Sequence, residues 1–165
     1  MSVIQQHLGQ LIIGQDLTSV EMEAAMDSIM QGEVTPAQIA GFIVALRMKG
    51  ETVDELAAAA RVMRKLSSKV DLGQQDLVDT CGTGGDGQKT INISTASAIV
   101  AASAGVKIAK HGNRSVSSKT GSADVLETLG VRLDVTPEVI ANCVRQVGIG
   151  FMFAPMHHSC MKHAI

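Results

Sequence analysis

The chain has 165 residues, 45% hydrophobic and 18% charged, with a formal net charge of −2. That composition supports a packed soluble core of one or two small domains and excludes wholesale disorder. The near-neutral charge gives no general attraction to nucleic acid or an anionic membrane, and with no Trp, no Tyr and three Phe the chain has almost no base-stacking platforms. Three cysteines, Cys81, Cys143 and Cys160, are too few and too odd for a disulfide scaffold, and a reducing cytoplasm is expected. The start, MSVIQQHLGQ, lacks the basic and apolar regions of a signal peptide. The longest apolar run, IVAASAGVKIA, is too short and interrupted to span a bilayer.

Residues 1–70 read as a helical domain. Thr18 with Glu21 makes a capping box, followed by Val20, Ala24 and a methionine-rich set. Thr35 and Pro36, with Gln38, open a second helix whose apolar face carries Ile39, Phe42, Ile43 and Leu46, and Gly50 stops it. Thr52 with Glu55 opens a third, with Leu56, Ala59, Ala60, Met63 and Leu66 on one stripe. The methionines read as core or as a helical interface rather than a cofactor box.

After Ser67 short apolar runs alternate with helical ones. LVDT (77–80), VKIA (106–109), VRLDV (131–135) and IGFMFA (149–154) are predicted strands. Helices are predicted over 94–104, over 123–129, from Thr136 and Pro137 to Gly148, and beginning after Pro155. This is the pattern of a parallel α/β sheet. The expected fold class is therefore α/β, with an all-helical N-terminal domain (1–70) and the first part of a parallel-sheet domain (71–165) that ends before its sheet is complete. In such sheets ligands lie beyond the carboxyl ends of the strands, where the polar loops 81–90 and 110–120 emerge.

The first loop, CGTGGDGQKT, has four glycines in ten residues. It satisfies the dinucleotide pattern G-x-G-x-x-G, yet the second strand is followed by Lys110 and His111 where an acidic residue is needed. It nearly satisfies a P-loop, but Gln88 separates Gly87 from Lys89 and Thr90. Turn chemistry alone would need fewer glycines. Glycines followed by Thr90, Asn92, Ser94 and Thr95 at a helix start make an anion site. The second loop, KHGNRSVSS (110–118), adds two firm cations, a histidine, an amide and three hydroxyls. Together the loops suit a ligand with several phosphates and a polar sugar. Asp86 fits such a ligand if it binds hydroxyls or lies near a cation, as on a ribose or a magnesium-bridged pyrophosphate. His157, His158, Cys160 and His163 do not read as a metal cluster, because adjacent histidines on one helix point apart.

DTCGTGGDG, NIST, KHGNRSVSS and GSADVLETLG, in this order and spacing, closely resemble the anthranilate phosphoribosyltransferase family, and the resemblance runs over nearly the whole chain. Pyrimidine nucleoside phosphorylases share a Gly-rich loop but differ in the second loop. The resemblance implies transfer of a phosphoribosyl group from phosphoribosyl pyrophosphate to the amine of anthranilate, a step of tryptophan biosynthesis, with Mg2+ and a homodimer formed through the helical domain. It implies that Gly82, Gly85, Asp86 and Thr90 contact the sugar diphosphate. Asn92, Ile93, Ser94 and Thr95 would hold its phosphates, Ser94 also touching magnesium. Lys110, His111, Gly112, Asn113, Arg114, Ser115, Val116, Ser117 and Ser118 would wrap the same substrate, with Ser122 at its edge. Gly82 and Asn113 would also face anthranilate. His111 is expected to orient a substrate, not to act as a general base, and no catalytic side chain is expected. Family members are considerably longer. The resemblance therefore places the arginine for anthranilate's carboxylate and an acidic pair for a second magnesium beyond residue 165, and this chain alone is expected to be poorly stable with little turnover. Two other readings stay open: an acceptor that is another aromatic amine or a nucleobase, and a non-enzymatic module of the same fold that binds nucleic acid or another ligand.

Overall fold

The computed structural model describes residues 2–73, 76–82, 91–115 and 120–164. The chain divides into two compact units, Met1–Ser67 with His158–Ile165, and Ser68–His157.

The first unit is built from α1 (Val3–Ile12), α2 (Ser19–Met30), α3 (Pro36–Lys49) and α4 (Val53–Leu66), with a 3-10 turn at Ser159–His163. The starts of α2, α3 and α4 follow local chemistry. Thr18, Thr35 and Thr52 each accept the N–H three residues on, and Glu21, Gln38 and Glu55 reach back to the capping residue. α1 packs on α3 and α2 on α4, burying Ile4, Leu11, Met22, Ala25, Ile29, Ile39, Phe42 and Ala58 in one core. Glu55 is fully buried. Its carboxylate accepts the N–H of Leu17 (2.9 Å) and of Thr52 (2.8 Å) and pairs with Lys49 Nζ (2.9 Å), which also reaches Asp16 (2.7 Å). The carboxylate ties the α1–α2 connection, the end of α3 and the start of α4 to one point.

The second unit runs α5 (Ile93–Ser103), β1 (Ile108–Gly112), α6 (Ser122–Thr128), α7 (Pro137–Val147), β2 (Ile149–Phe153) and α8 (Ala154–His157). β1 and β2 pair in parallel with Ile108 opposite Ile149 and Gly112 opposite Phe153. Val78 bridges to Ile108 on the other side, also in parallel, giving and taking hydrogen bonds with Lys107 and Ala109 at 3.0 Å each. Ala98, Ile108, Ala109, Ile140, Ala141 and Val144 are buried. Ser68 and His157, the first and last residues of the unit, are joined: the Ser68 N–H donates to the His157 carbonyl at 2.8 Å, and His157 Nδ1 lies 3.4 Å from the Ser68 carbonyl.

Three predicted strands are corrected. Of 77–80 only Val78 pairs. The strand predicted over 106–109 is shifted and runs on through Lys110, His111 and Gly112, which the sequence reading placed in a loop. Residues 131–135 form no strand. Gly130, at φ +87°, turns the chain back, and the Val131 N–H bonds to the Leu126 carbonyl at 2.9 Å as a helix-closing cap. Leu133 is thereby buried against Ala123 and Leu126, with Phe151 and Phe153 packed alongside. Its burial comes from packing on α6, not from sheet pairing.

Candidate functional site

The site grows from the carboxyl ends of Val78 and β1 and from the start of α5. Asp79 Oδ1 accepts the Cys81 N–H at 2.9 Å and the His111 N–H at 3.2 Å. One oxygen therefore joins the root of the Gly-rich segment to the second polar segment, thirty residues on. Thr80 Oγ1 donates to the Ser94 carbonyl at 2.8 Å and lies 3.5 Å from Lys110 Nζ. Residues 79 and 80 thus bind three sequence-distant pieces together.

Asn92 caps α5. Its Oδ1 accepts the Thr95 N–H at 3.1 Å and the Ser94 hydroxyl at 3.2 Å, which leaves the positive end of the α5 dipole facing the site. Thr95 is buried, and its hydroxyl has no hydrogen-bond partner among the described residues. A buried hydroxyl in the first turn of a helix ordinarily finds a hydrogen-bond partner.

Lys110 is only 1% exposed. Burial pushes its amine below the ordinary lysine value, and Asp79 and Cys81 pull the other way. His111 is held below the ordinary imidazole value, first by burial and then by the charges of His157 and Lys110, against the pull of Asp79. Its Nδ1 lies 3.9 Å from Cys81 Sγ. This lowering favours the neutral imidazole. Gly112 sits where a side chain would run into Ser122 Oγ and the Phe151 ring, so the backbone passes close under the site.

Arg114 is turned to α6. Its guanidinium forks onto Glu127 at 2.7 and 3.1 Å, meets Asp124 at 3.2 Å and lies over the Phe153 ring at 5.6 Å. Asp124 Oδ2 also accepts the N–H of Ser115 (3.0 Å) and of Gly121 (2.7 Å). The Asn113 carbonyl accepts the Ala123 N–H at 3.2 Å and the Ser122 hydroxyl at 3.4 Å.

Of the sequence-predicted site residues, Gly82, Asn92, Ile93, Ser94, Thr95, Lys110, His111, Gly112, Asn113, Arg114, Ser115 and Ser122 all lie in the second unit. Thr80 bridges the Ser94 carbonyl and Lys110, and Asp79 joins His111 to the root of the Gly-rich segment. Ser122 and Asp124 link the start of α6 to Asn113, Arg114 and Ser115. Gly85, Asp86, Thr90, Val116, Ser117 and Ser118 lie outside the described residues. Sequence reasoning missed Asp79, Thr80, Asp124 and Glu127. The signal for Asp124 was its place three residues after Gly121, the capping position. Among the described residues no group of three or more His, Cys, Asp or Glu is placed to hold a metal.

These features define a two-unit protein, helical and α/β, with hydrogen-bond donors gathered at the ends of parallel strands. The chain belongs to the glycosyl transferase family: the model of its a/b domain matches residues 74–165, and that of its helical bundle domain residues 5–67. Among curated relatives, anthranilate phosphoribosyltransferase of Cellvibrio japonicus is 60% identical over 162 residues, 98% of this chain and 47% of the relative. That of Thioalkalivibrio sulfidiphilus is 64% identical over 150 residues, 91% and 44%. Among solved structures, anthranilate phosphoribosyltransferase from Thermus thermophilus matches with TM-score 0.85 at 43% identity, covering 99% of this chain and 48% of that one. The Saccharomyces cerevisiae enzyme in complex with PRPP and Mg matches with TM-score 0.86 at 30% identity, covering 97% and 48%. The chain spans about half the length of the curated relatives it matches.

Proposed function

We propose that the protein transfers the phosphoribosyl group of phosphoribosyl pyrophosphate to anthranilate, giving N-(5-phosphoribosyl)anthranilate and pyrophosphate, in tryptophan biosynthesis. The observation that carries this reading is the convergence of a buried lysine, a capped helix start and a Thr95 hydroxyl unpartnered among the described residues, where the relatives named for this activity match along nearly the whole chain. A solved yeast relative is described in complex with 4-fluoroanthranilate, at 28% identity and TM-score 0.81, the match covering 97% of this chain and 46% of that one.

In the reaction the amine nitrogen bonds to the anomeric carbon, the bond from that carbon to pyrophosphate oxygen breaks, and the nitrogen gives up a proton. Positive charge develops on the ribose and negative charge on the leaving group. The Lys110 amine and the start of α5 stabilise the latter from fixed positions. Gly82, Gly85, Asp86 and Thr90 hold the sugar diphosphate, and Asn92, Ile93, Ser94 and Thr95 its phosphates. Lys110, His111, Gly112, Asn113, Arg114, Ser115, Val116, Ser117 and Ser118 form the surrounding segment, with Ser122 at its edge. Gly82 and Asn113 face the acceptor. The aromatic amine is already nucleophilic, so alignment does most of the work.

The residues present fit Mg2+ as an ion carried by the diphosphate. Ser94 offers one hydroxyl, while magnesium prefers several oxygens and keeps phosphate and water ligands. Bound there, the ion supplies charge to the leaving pyrophosphate. Residues 1–70 then serve as the helical domain and 71–165 as the donor-binding domain. Two copies pair through the helical domain, where Ile12, Ile13, Val20, Val44, Met48, Val53 and Leu56 are exposed. Three free thiols suit a cytoplasmic setting, and no described helix is long and apolar enough to cross a membrane.

Calorimetric titration of the folded chain with phosphoribosyl pyrophosphate, with and without Mg2+, tests the reading. Saturable, magnesium-dependent binding is expected. A folded chain that takes up no heat in either condition would refute the donor site.

A further inference from the structure

We propose that Asp124 is a positioning residue, which anchors Arg114 and Ser115 close after Lys110 and His111 and so sets the affinity of the donor site; the inference rests on the transferase reading. Asp124 stands at the third position of α6, where a carboxylate that closes on the capping residue is ordinary. Its 2.7 Å bond from the Gly121 N–H needs no other explanation. Two further contacts are not required for capping. The same oxygen accepts the Ser115 N–H at 3.0 Å, nine residues back. The other oxygen meets Arg114 Nη1 at 3.2 Å.

The neighbours of Asp124 repeat the pattern. Ser122 and Ala123 donate to the Asn113 carbonyl. Glu127 takes both ends of the Arg114 fork. Apart from the capping bonds at Gly121, the described polar contacts of the first turn of α6 to the preceding segment fall on residues 113, 114 and 115, directly after the strand that ends in Lys110, His111 and Gly112. Two donated N–H bonds and the Arg114 charge hold the Asp124 carboxyl below the ordinary aspartate value, so it stays an acceptor at neutral pH. On this geometry Arg114, one of the two cations in the polar segment that the sequence reads as phosphate-binding, acts through Asp124 and Glu127. Lys110 is left as the direct cation.

The test uses the 165-residue chain, the variants Asp124→Asn and Arg114→Gln, and their combination. Three quantities are read: the Kd for phosphoribosyl pyrophosphate with Mg2+, amide exchange at Ser115, and the thermal midpoint. Asp124→Asn is expected to weaken donor binding about tenfold, the loss of one charge-assisted hydrogen bond, and to speed exchange at Ser115 while the midpoint holds. Arg114→Gln should weaken binding to a similar degree, and the double variant should be no weaker than the worse single, because both act through one anchor. Unchanged Ser115 exchange, unchanged affinity in Asp124→Asn, or fully additive losses in the double variant would overturn the proposal. A wild-type chain that binds no donor sinks the transferase reading instead, and the Ser115 exchange rate then decides the anchor alone.

Discussion

Replacing Gly121 by alanine separates backbone conformation from space. Gly121 has φ −90° and ψ 179°, extended values that alanine adopts freely. On chain entropy alone the change would stabilise the fold by about 0.4–1 kcal/mol. Space decides otherwise. A Cβ there would lie 2.5 Å from the Ser115 nitrogen, 2.6 Å from the Arg114 carbonyl carbon and 2.6 Å from the Asn113 oxygen, nearly 1 Å inside the 3.4 Å at which ordinary contact begins. All three are backbone atoms, tied in turn to Ser122, Ala123 and Asp124 of α6, so no side chain can swing away. Overpacking of this kind costs about 1–3 kcal/mol. The net expectation is destabilisation by about 1–2 kcal/mol, or several degrees of thermal midpoint for a chain of this size. Donor affinity should fall with it, because Asn113 and Ser115 must move. Gly9→Ala is the control: the site lies inside α1 with nothing within 4 Å of the added carbon, so it should stabilise by about 0.5–1 kcal/mol. A Gly121→Ala chain that melts and binds like the wild type would refute the reasoning.

Lys110→Met keeps the shape and removes the buried charge. Donor affinity in calorimetry is expected to drop at least about tenfold, with the thermal midpoint held or raised because the amine's desolvation is relieved. Glu55→Ala leaves two backbone donors without their acceptor and Lys49 with Asp16 as its remaining carboxylate, and denaturant unfolding should show a loss of about 2–4 kcal/mol. Burial raises the Glu55 carboxyl, but the Thr52 and Leu17 N–H groups and Lys49 together hold it below its ordinary 4.5. Its stabilisation is therefore full above 4.5 and is lost as pH falls through the lower folded value. Glu55→Gln should flatten that acid limb of the denaturant midpoint. Leu133→Ala should cost about 2–5 kcal/mol in the same assay, since Leu133 is buried on α6; a negligible cost would argue against the packing described for 131–135.

What was legible in the sequence was what neighbours within four residues decide. The Thr18, Thr35 and Thr52 caps depend on a hydroxyl and a carboxyl or amide three residues apart, and each formed as expected. The strand edges failed for the opposite reason. VRLDV has the composition of a strand, but the cap at Val131 and the pocket beneath Leu133 exist only once α6 is placed. Lys110 and His111 read as loop because polar residues break strand periodicity, yet pairing with Phe151 and Met152 keeps them extended. In the candidate site, the donors were visible by residue type alone. Their supports were not. Asp79 and Asp124 act by accepting backbone N–H groups from residues 2 to 32 positions away, and nothing in residue identity announces which amides a carboxylate will meet.

The bond between Ser68 and His157 means that the α/β unit leaves the chain where it entered it. Ser68 and His157 are thus the two neighbouring ends of the stretch 68–157. Segments whose ends meet are the ones that tolerate insertion and permutation. A link of a few residues would therefore span from His157 back to Ser68.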